Sequence, residues 1–268
     1  MNRYFFPFEG DLYTAKIIRR YKRFLADVIL EDGREEVVHV PNSGSMTTCW
    51  HEGAPVILTR HPESPSRKLR YTLQAVEMPD GWVGVNTLNP NRAVSAAIIA
   101  GKVKALEGYA FLYTEVKTST GSRFDICLSA RSVDCAQESL VLNPGRAQPI
   151  VDCASENCQT MTTAVIEIKN ATMRSGIDGV IFPDAVTARG QKHLRHLVEM
   201  RKKGFRSILV FFAGRSNTRW VGLAEKIDPE YARTLIWAVA NGVEIIGIQV
   251  EVAPNGLHIL GTLPVVTD

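Results

Sequence analysis

The sequence predicts an α/β protein of the α+β kind, with a small all-β unit over residues 1–84 and a mixed-sheet unit over residues 85–268. Up to Gly84, short β-prone runs alternate with turn signals and no helical period occurs. After Gly84, helical periods begin to alternate with strand runs. The composition, 45% hydrophobic and 22% charged, is that of a folded chain able to bury one large or two ordinary cores.

In the first unit the predicted strands are Leu12–Arg20, Phe24–Leu30, Glu36–Val40, Pro55–His61 and Tyr71–Met78. Asp32-Gly33, Asn42-Ser43-Gly44, Glu52-Gly53 and Pro79-Asp80-Gly81 supply the turns. Five short strands without a helix fit an OB-like β-barrel, a scaffold that binds nucleic acid.

In the second unit, Asn91–Ala100 has a helical period that stops at Gly101. Leu112–Val116, Arg123–Leu128 and Thr163–Lys169 read as strands, and Ala188–Lys203 as a helix ending at Gly204. Ser207–Phe212 reads as a buried strand. Asp228-Pro229 opens a further helix as N-cap and first position. Val243–Val250 reads as the last strand. A meander feeding a crossover helix and a parallel strand implies a mixed sheet with helices on its faces, the element order of nuclease-like cores. The polar stretch near 129–161 reads as a long surface insertion, and it holds Cys135, Cys153 and Cys158. These cysteines lack the short spacing of a zinc site.

Asp125 falls on one predicted strand, and Glu167 and Lys169 on another. Residues two apart on a strand share a face, so Glu167 and Lys169 converge, and pairing with the Asp125 strand brings two carboxylates together. Two carboxylates suit a Mg²⁺ or Mn²⁺ ion, with Glu115 as a candidate third ligand. Lys169 can then orient water or offset charge at a phosphate, the combination that phosphodiester hydrolysis needs. An Asp with a Glu-x-Lys also arises by chance as charges on an exposed strand face; the surrounding element order favours the site.

Two basic groups are candidates for phosphate contacts. Lys16, Arg19, Arg20, Lys22 and Arg23 interleave with Tyr21 on the barrel, where a solvated strand face is the alternative. Arg189, Lys192 and His193 share a helix face at spacings of three and four. Arg201, Lys202 and Lys203 are assigned instead to the C-terminal helix dipole. Asp184 is expected to cap the segment after it, and Asn42–Met46 to form a tight turn.

The stretches Arg20–Val28, Val40–Met46, Arg67–Thr72, Val85–Thr87, Ser122–Asp125, Ile166–Asn170, Phe182–Thr187 and Arg189–Leu194 together resemble the sugar fermentation stimulation protein A family. The resemblance runs in order over nearly the whole chain. It implies an N-terminal OB-like domain, a C-terminal restriction-endonuclease-like domain and DNA binding, with Asp125, Glu167 and Lys169 as the site. Residues 126–166 separate Asp125 from Glu167 by more than the resemblance leads one to expect.

Two functions follow: a DNA-binding nuclease dependent on Mg²⁺ or Mn²⁺, or a non-enzymatic DNA-binding regulator of sugar metabolism genes on the same scaffold. RNA as the partner is left open by the OB-like unit, as is a homodimer. The net charge of +3 does not by itself select a partner. No apolar run reaches the roughly 18 residues that span a bilayer. With no secretory signal and an odd cysteine count of five, a reduced cytoplasmic setting is expected.

Overall fold

The computed structural model describes residues 3–63, 67–118, 122–130, 140–141, 147–150 and 162–267. Cys135, Cys153 and Cys158, and most of the expected insertion, lie outside the described residues.

The first strands are β1 (Tyr4–Pro7), β2 (Asp11–Tyr21), β3 (Leu25–Leu30), β4 (Glu35–His39), β5 (Pro55–Arg60), β6 (Tyr71–Met78) and β7 (Gly81–Gly84). Helix α1 (Asn89–Ile99) leads to β8 (Phe111–Thr118), β9 (Arg123–Ser129), β10 (Leu140–Val141) and β11 (Gln148–Pro149). Next come β12 (Ala164–Ala171), β13 (Met173–Ser175), β14 (Gly179–Phe182) and α2 (Ala188–Lys202). The chain continues with β15 (Arg206–Ala213), β16 (Trp220–Leu223), α3 (Pro229–Ala240), β17 (Glu244–Ala253), β18 (Gly256–Leu263) and β19 (Val265–Val266).

The five strands predicted for the first unit all form, joined by β7, in the order β4-β3-β2-β5-β6-β7. A pairing of His39 on β4 with Thr72 on β6 closes β2–β6 into a ring. Alternate apolar residues such as Ile17, Val28, Val38, Val56 and Leu73 point inward and are completely buried.

The second unit is built on a sheet ordered β1-β18-β17-β15-β12-β9-β8-β10, with β11 also on β8. β12, β15 and β17 run parallel, and the central β15 is a near-continuous apolar run because both faces of the sheet are covered. One face packs α1 through Ala93, Val94, Ala97 and Ile98. The other packs α2 and α3 through Leu194, Leu197, Val198, Tyr231 and Leu235.

Three features differ from the sequence reading. Residues 4–7 do not join the first unit: β1 pairs antiparallel with β18 at the edge of the large sheet. β17 is not the last strand, because the turn at Pro254-Asn255 folds β18 back onto it. A small sheet ordered β13-β14-β16-β19 lies beside the large one. Its strands have two to four residues, too few to show a period.

The two units are stitched together. Arg215, 2% exposed, donates to both carboxylate oxygens of Asp80, through Nε at 2.9 Å in one case, and from Nη1 to the Thr48 carbonyl at 2.7 Å. Gly84 N–H donates to Gly214 O at 2.8 Å, where β7 passes the end of β15.

Candidate active site

β9 and β12 pair at Ala164↔Leu128, Val165↔Cys127 and Ile166↔Ile126, and then the ladder stops. The next positions in that register are Glu167 and Asp125. The Asp125 carboxylate takes the place of a backbone partner: its Oδ2 accepts from the Ile168 N–H at 2.7 Å, and its Oδ1 from Asn91 Nδ2 at 2.7 Å. Phe124 and Ile126 flank Asp125 yet pack into opposite cores, so strict alternation breaks there. The same irregularity shows on β8, where pairing passes from Thr114↔Ile126 to Val116↔Phe124 and Glu115 adopts φ +56°.

Glu167 is 3% exposed, on the face covered by α2. Its Oε1 accepts from Lys169 Nζ at 2.6 Å and is also hydrogen-bonded to His193 Nδ1. Arg189 Nε donates to His193 Nε2 at 3.2 Å. A guanidinium is always a donor, so Nε2 must accept, and the ring proton sits on Nδ1, facing Glu167. Burial pushes the Glu167 carboxyl up, but the His193 hydrogen bond and the charge of Lys169 outweigh it, and the group ends below its ordinary value. Asp125 goes the other way. Burial, then the negative charge of Glu167, push it up to about 6, against the pull of Ile168 N–H, Lys169 and Asn91.

Two buried carboxylates, one held below its ordinary value and the other raised by burial and by its neighbour, make a site short of positive charge. Hard oxygen donors of this number fit Mg²⁺ or Mn²⁺, which commonly take one or two carboxylates and fill the remaining positions with water and phosphate oxygen. Among the described residues no group of three His, Cys, Asp or Glu side chains is arranged around a metal position.

Glu115 is not brought to the pair. Its left-handed backbone turns the side chain outward, where Oε2 meets Arg123 Nε at 2.8 Å. The basic groups are likewise divided. Arg20 is committed to the protein: its guanidinium donates to the carbonyls of Arg23, Asn42, Gly44 and Ser45. Arg19 pairs with Asp27 at 2.7 Å and stacks 5.1 Å over the Tyr21 ring. Lys22 and Arg23 are exposed in the β2–β3 turn, both at positive φ, with no ion pair among the described residues. Lys16 is exposed on the outer face of β2. In α2, Lys192 is exposed, whereas His193 faces Glu167 instead of solvent.

Asp184 does not cap α2. Thr187 does, accepting from Gly190 N–H at 3.0 Å. Asp184 reaches the first unit, accepting from Met46 N–H at 3.1 Å and Ser45 Oγ at 3.4 Å. Asp228 caps α3 through Tyr231 N–H at 2.9 Å and also accepts from Thr187 N–H at 2.8 Å, so it fixes the start of both helices.

Two contributors escaped sequence reasoning. Asn91 is hidden by an Asn-Pro-Asn-Arg stretch that reads only as a helix start. Tyr231 looks like one more core aromatic, but its buried hydroxyl has no hydrogen-bond partner among the described residues. Burial, then the charges of Glu167 and Asp228, hold its phenol neutral.

Comparison with known proteins accords with this architecture. Residues 18–85 match the model of the SfsA N-terminal OB domain, and residues 147–256 that of the sugar fermentation stimulation protein RE domain. Glu167, Lys169 and His193 lie within the second match, and Asp125 lies before it. The sugar fermentation stimulation protein homolog of Geotalea uraniireducens is 41% identical over 254 residues, covering 95% of this chain and 96% of the relative. That of Rhodospirillum rubrum is 38% identical over 263 residues, covering 97% and 98%. A solved structure, described as Pyrococcus furiosus SfsA in complex with Ca²⁺, superposes with a TM-score of 0.77 at 22% identity, over 96% of this chain and 97% of the other. The chain therefore belongs to the sugar fermentation stimulation protein family, with an OB domain followed by a restriction-endonuclease-like domain.

Proposed function

We propose that this protein binds DNA and hydrolyses its phosphodiester bonds at Asp125, Glu167 and Lys169, with Mg²⁺ or Mn²⁺ as the cofactor. The observation that carries the reading is the Asp125–Glu167 pair where the β9–β12 ladder opens, two carboxylates against the one ammonium of Lys169, with Asp125 pushed up to about 6. A Ca²⁺ ion accompanies the archaeal structure of the same fold, in keeping with a divalent cation here.

Asp125 and Glu167 would hold the ion, which would polarise a phosphate oxygen and neutralise developing charge. Asn91 and the Ile168 N–H fix the Asp125 carboxylate. His193, oriented by Arg189, fixes Glu167. Lys169, anchored 2.6 Å from Glu167, presents its ammonium beside the two carboxylates, where it orients the attacking water or meets charge on the phosphate. A protonated amine has no lone pair, so Lys169 is no metal ligand. Lys192, Lys22 and Arg23 offer exposed positive charge for flanking phosphates.

The test is incubation of purified protein with linear, single-stranded and branched DNA, with and without Mn²⁺. The wild type is expected to cut in the presence of Mn²⁺. Lys169→Ala should bind DNA nearly as well yet not cut, because the lost interaction is made mainly in the transition state. Asp125→Ala should stop cutting by losing the ion. A wild type that binds these DNAs and cuts none would favour the regulator reading. Cleavage that survives in both variants would point to a different site.

A further inference from the structure

Asn91 and Lys169, which bond to Asp125 and Glu167, line a cavity of about 440 Å³ between the two units that reaches to Arg23, Ser43 and Gly44. A second cavity of about 420 Å³ continues from it over the first unit, past Lys22, Arg23 and Trp50. The two share Arg23, Ser43, Gly44 and Ala185, so they form one trough that runs from the ring of strands down to Lys169. Each half has a volume of the kind that takes one small molecule, about 300–1,000 Å³.

The walls of the trough are fixed. Arg20 holds the carbonyls of Asn42, Gly44 and Ser45, and the amide of Met46 is tied to Asp184, so the negative charge of Asp184 is spent on the loop and lies near the Arg20 guanidinium. Gly44 is packed so closely that an added Cβ would lie 2.3 Å from Asp184 Oδ2. Lys169 lies at the floor beyond this lip, its side chain only 13% exposed, a depth that a narrow single strand reaches more readily than a stacked pair of bases. A strand free of its complement can enter, with one nucleotide in the inner cavity. Its neighbour would lie in the outer cavity against the half-buried Trp50, and Lys22 and Arg23 would meet the backbone.

From this geometry we infer that the substrate is single-stranded DNA, threaded through the trough, with the phosphate to be cut between the inner nucleotide and Lys169. The inference rests on the nuclease reading for the cut, but the trough can be tested by binding alone. The experiment measures fluorescence anisotropy of a labelled oligothymidylate and of a blunt duplex of equal length, in Ca²⁺, with wild type, Ala185→Trp and Arg23→Ala. In parallel, the Mn²⁺-induced rise in melting temperature is recorded for each. Ala185 and Arg23 are exposed, so neither change should disturb the core. The oligothymidylate should bind the wild type about tenfold or more tighter than the duplex, and lose about tenfold in each variant, in line with the loss of one stacked base or phosphate contact. The Mn²⁺ response should be unchanged in both variants. Equal binding of duplex and single strand, or full affinity in Ala185→Trp, would overturn the trough. Loss of oligothymidylate binding in the variants, in a wild type with no Mn²⁺ response, would uphold the trough and sink the metal site.

Discussion

Two buried ionic clusters in this molecule have opposite characters. At the junction of the units, Arg215 meets Asp80, Thr48 O and Thr172 O, and every guanidinium nitrogen has an acceptor. Burial pushes Asp80 up, but its bonds to Arg215 and Arg174 more than offset this, and it ends below its ordinary value. At the end of the β9–β12 ladder, Asp125 accepts two hydrogen bonds from neutral donors and faces Glu167, and it is pushed up to about 6. In the first cluster every Arg215 nitrogen and both Asp80 oxygens have a partner, as a structural lock has to have. The second is left with more negative charge than its protein partners neutralise, and on that imbalance the proposed cation site rests.

That contrast can be broken most forcefully at the lock. Arg215→Ala leaves Asp80, one-third exposed, to Arg174 alone and strips the Thr48 and Thr172 carbonyls of their donor, and should cost about 2–3 kcal/mol, the scale for losing hydrogen bonds to a charged group. The readout is the urea unfolding midpoint. A cost below about 1 kcal/mol would mean that the junction does not hold the units together.

At the site the sign should reverse. The folded value for Asp125, about 6, lies above its ordinary 3.8, so between these values the native state holds a proton that the unfolded chain has lost. Stability from this group is therefore full at acid pH, falls as pH rises towards about 6, and above that the ionised carboxylate is a cost of up to about 3 kcal/mol. Asp125→Asn removes the charge but turns an NH₂ group towards one of two donors, so at pH 8 without metal it should stabilise by about 1–2 kcal/mol. Thermal melts at pH 8 and pH 4 check this, since the gain should vanish at the lower pH.

A smaller effect follows from the same titration. Mn²⁺ at about 100 times its dissociation constant should add about 2.7 kcal/mol to the wild type at pH 8. The increment should shrink as pH falls through about 6, because the ligand must be ionised. An increment independent of pH over that range would place the ion elsewhere. The smallest effect should come from Glu115→Ala. Glu115 forms an exposed pair with Arg123, so its loss should change stability by no more than about 0.5 kcal/mol and leave the Mn²⁺ increment intact.

Much of the fold was legible because the strands of the first unit are short β-prone runs set off by turn signals and the helices carry their own stops. Asp228-Pro229 and Gly204 announce helix ends through backbone chemistry that needs no tertiary partner. β1 and β18 were not legible as partners, since an edge pairing between residues 4–7 and 256–259 leaves no local trace. Within the site, the Glu-x-Lys spacing put Glu167 and Lys169 on one face, as the structure has them. Glu115 was misjudged because the irregularity at φ +56° turns it away from its position in the period. Asn91 and His193 come from helices packed on opposite faces of the sheet, and their meeting at the two carboxylates is a tertiary fact. Arg20 read as a phosphate contact because three of its four carbonyl partners lie 22 to 25 residues away.

The central claim is that Asp125 and Glu167 await one divalent cation. Anomalous diffraction from a crystal soaked in Mn²⁺ tests it most directly. The account predicts a single strong peak with oxygens of both carboxylates at about 2.0–2.2 Å, and no such peak in Asp125→Asn. Density absent from that position in the wild type, or a peak unchanged in the variant, would contradict it.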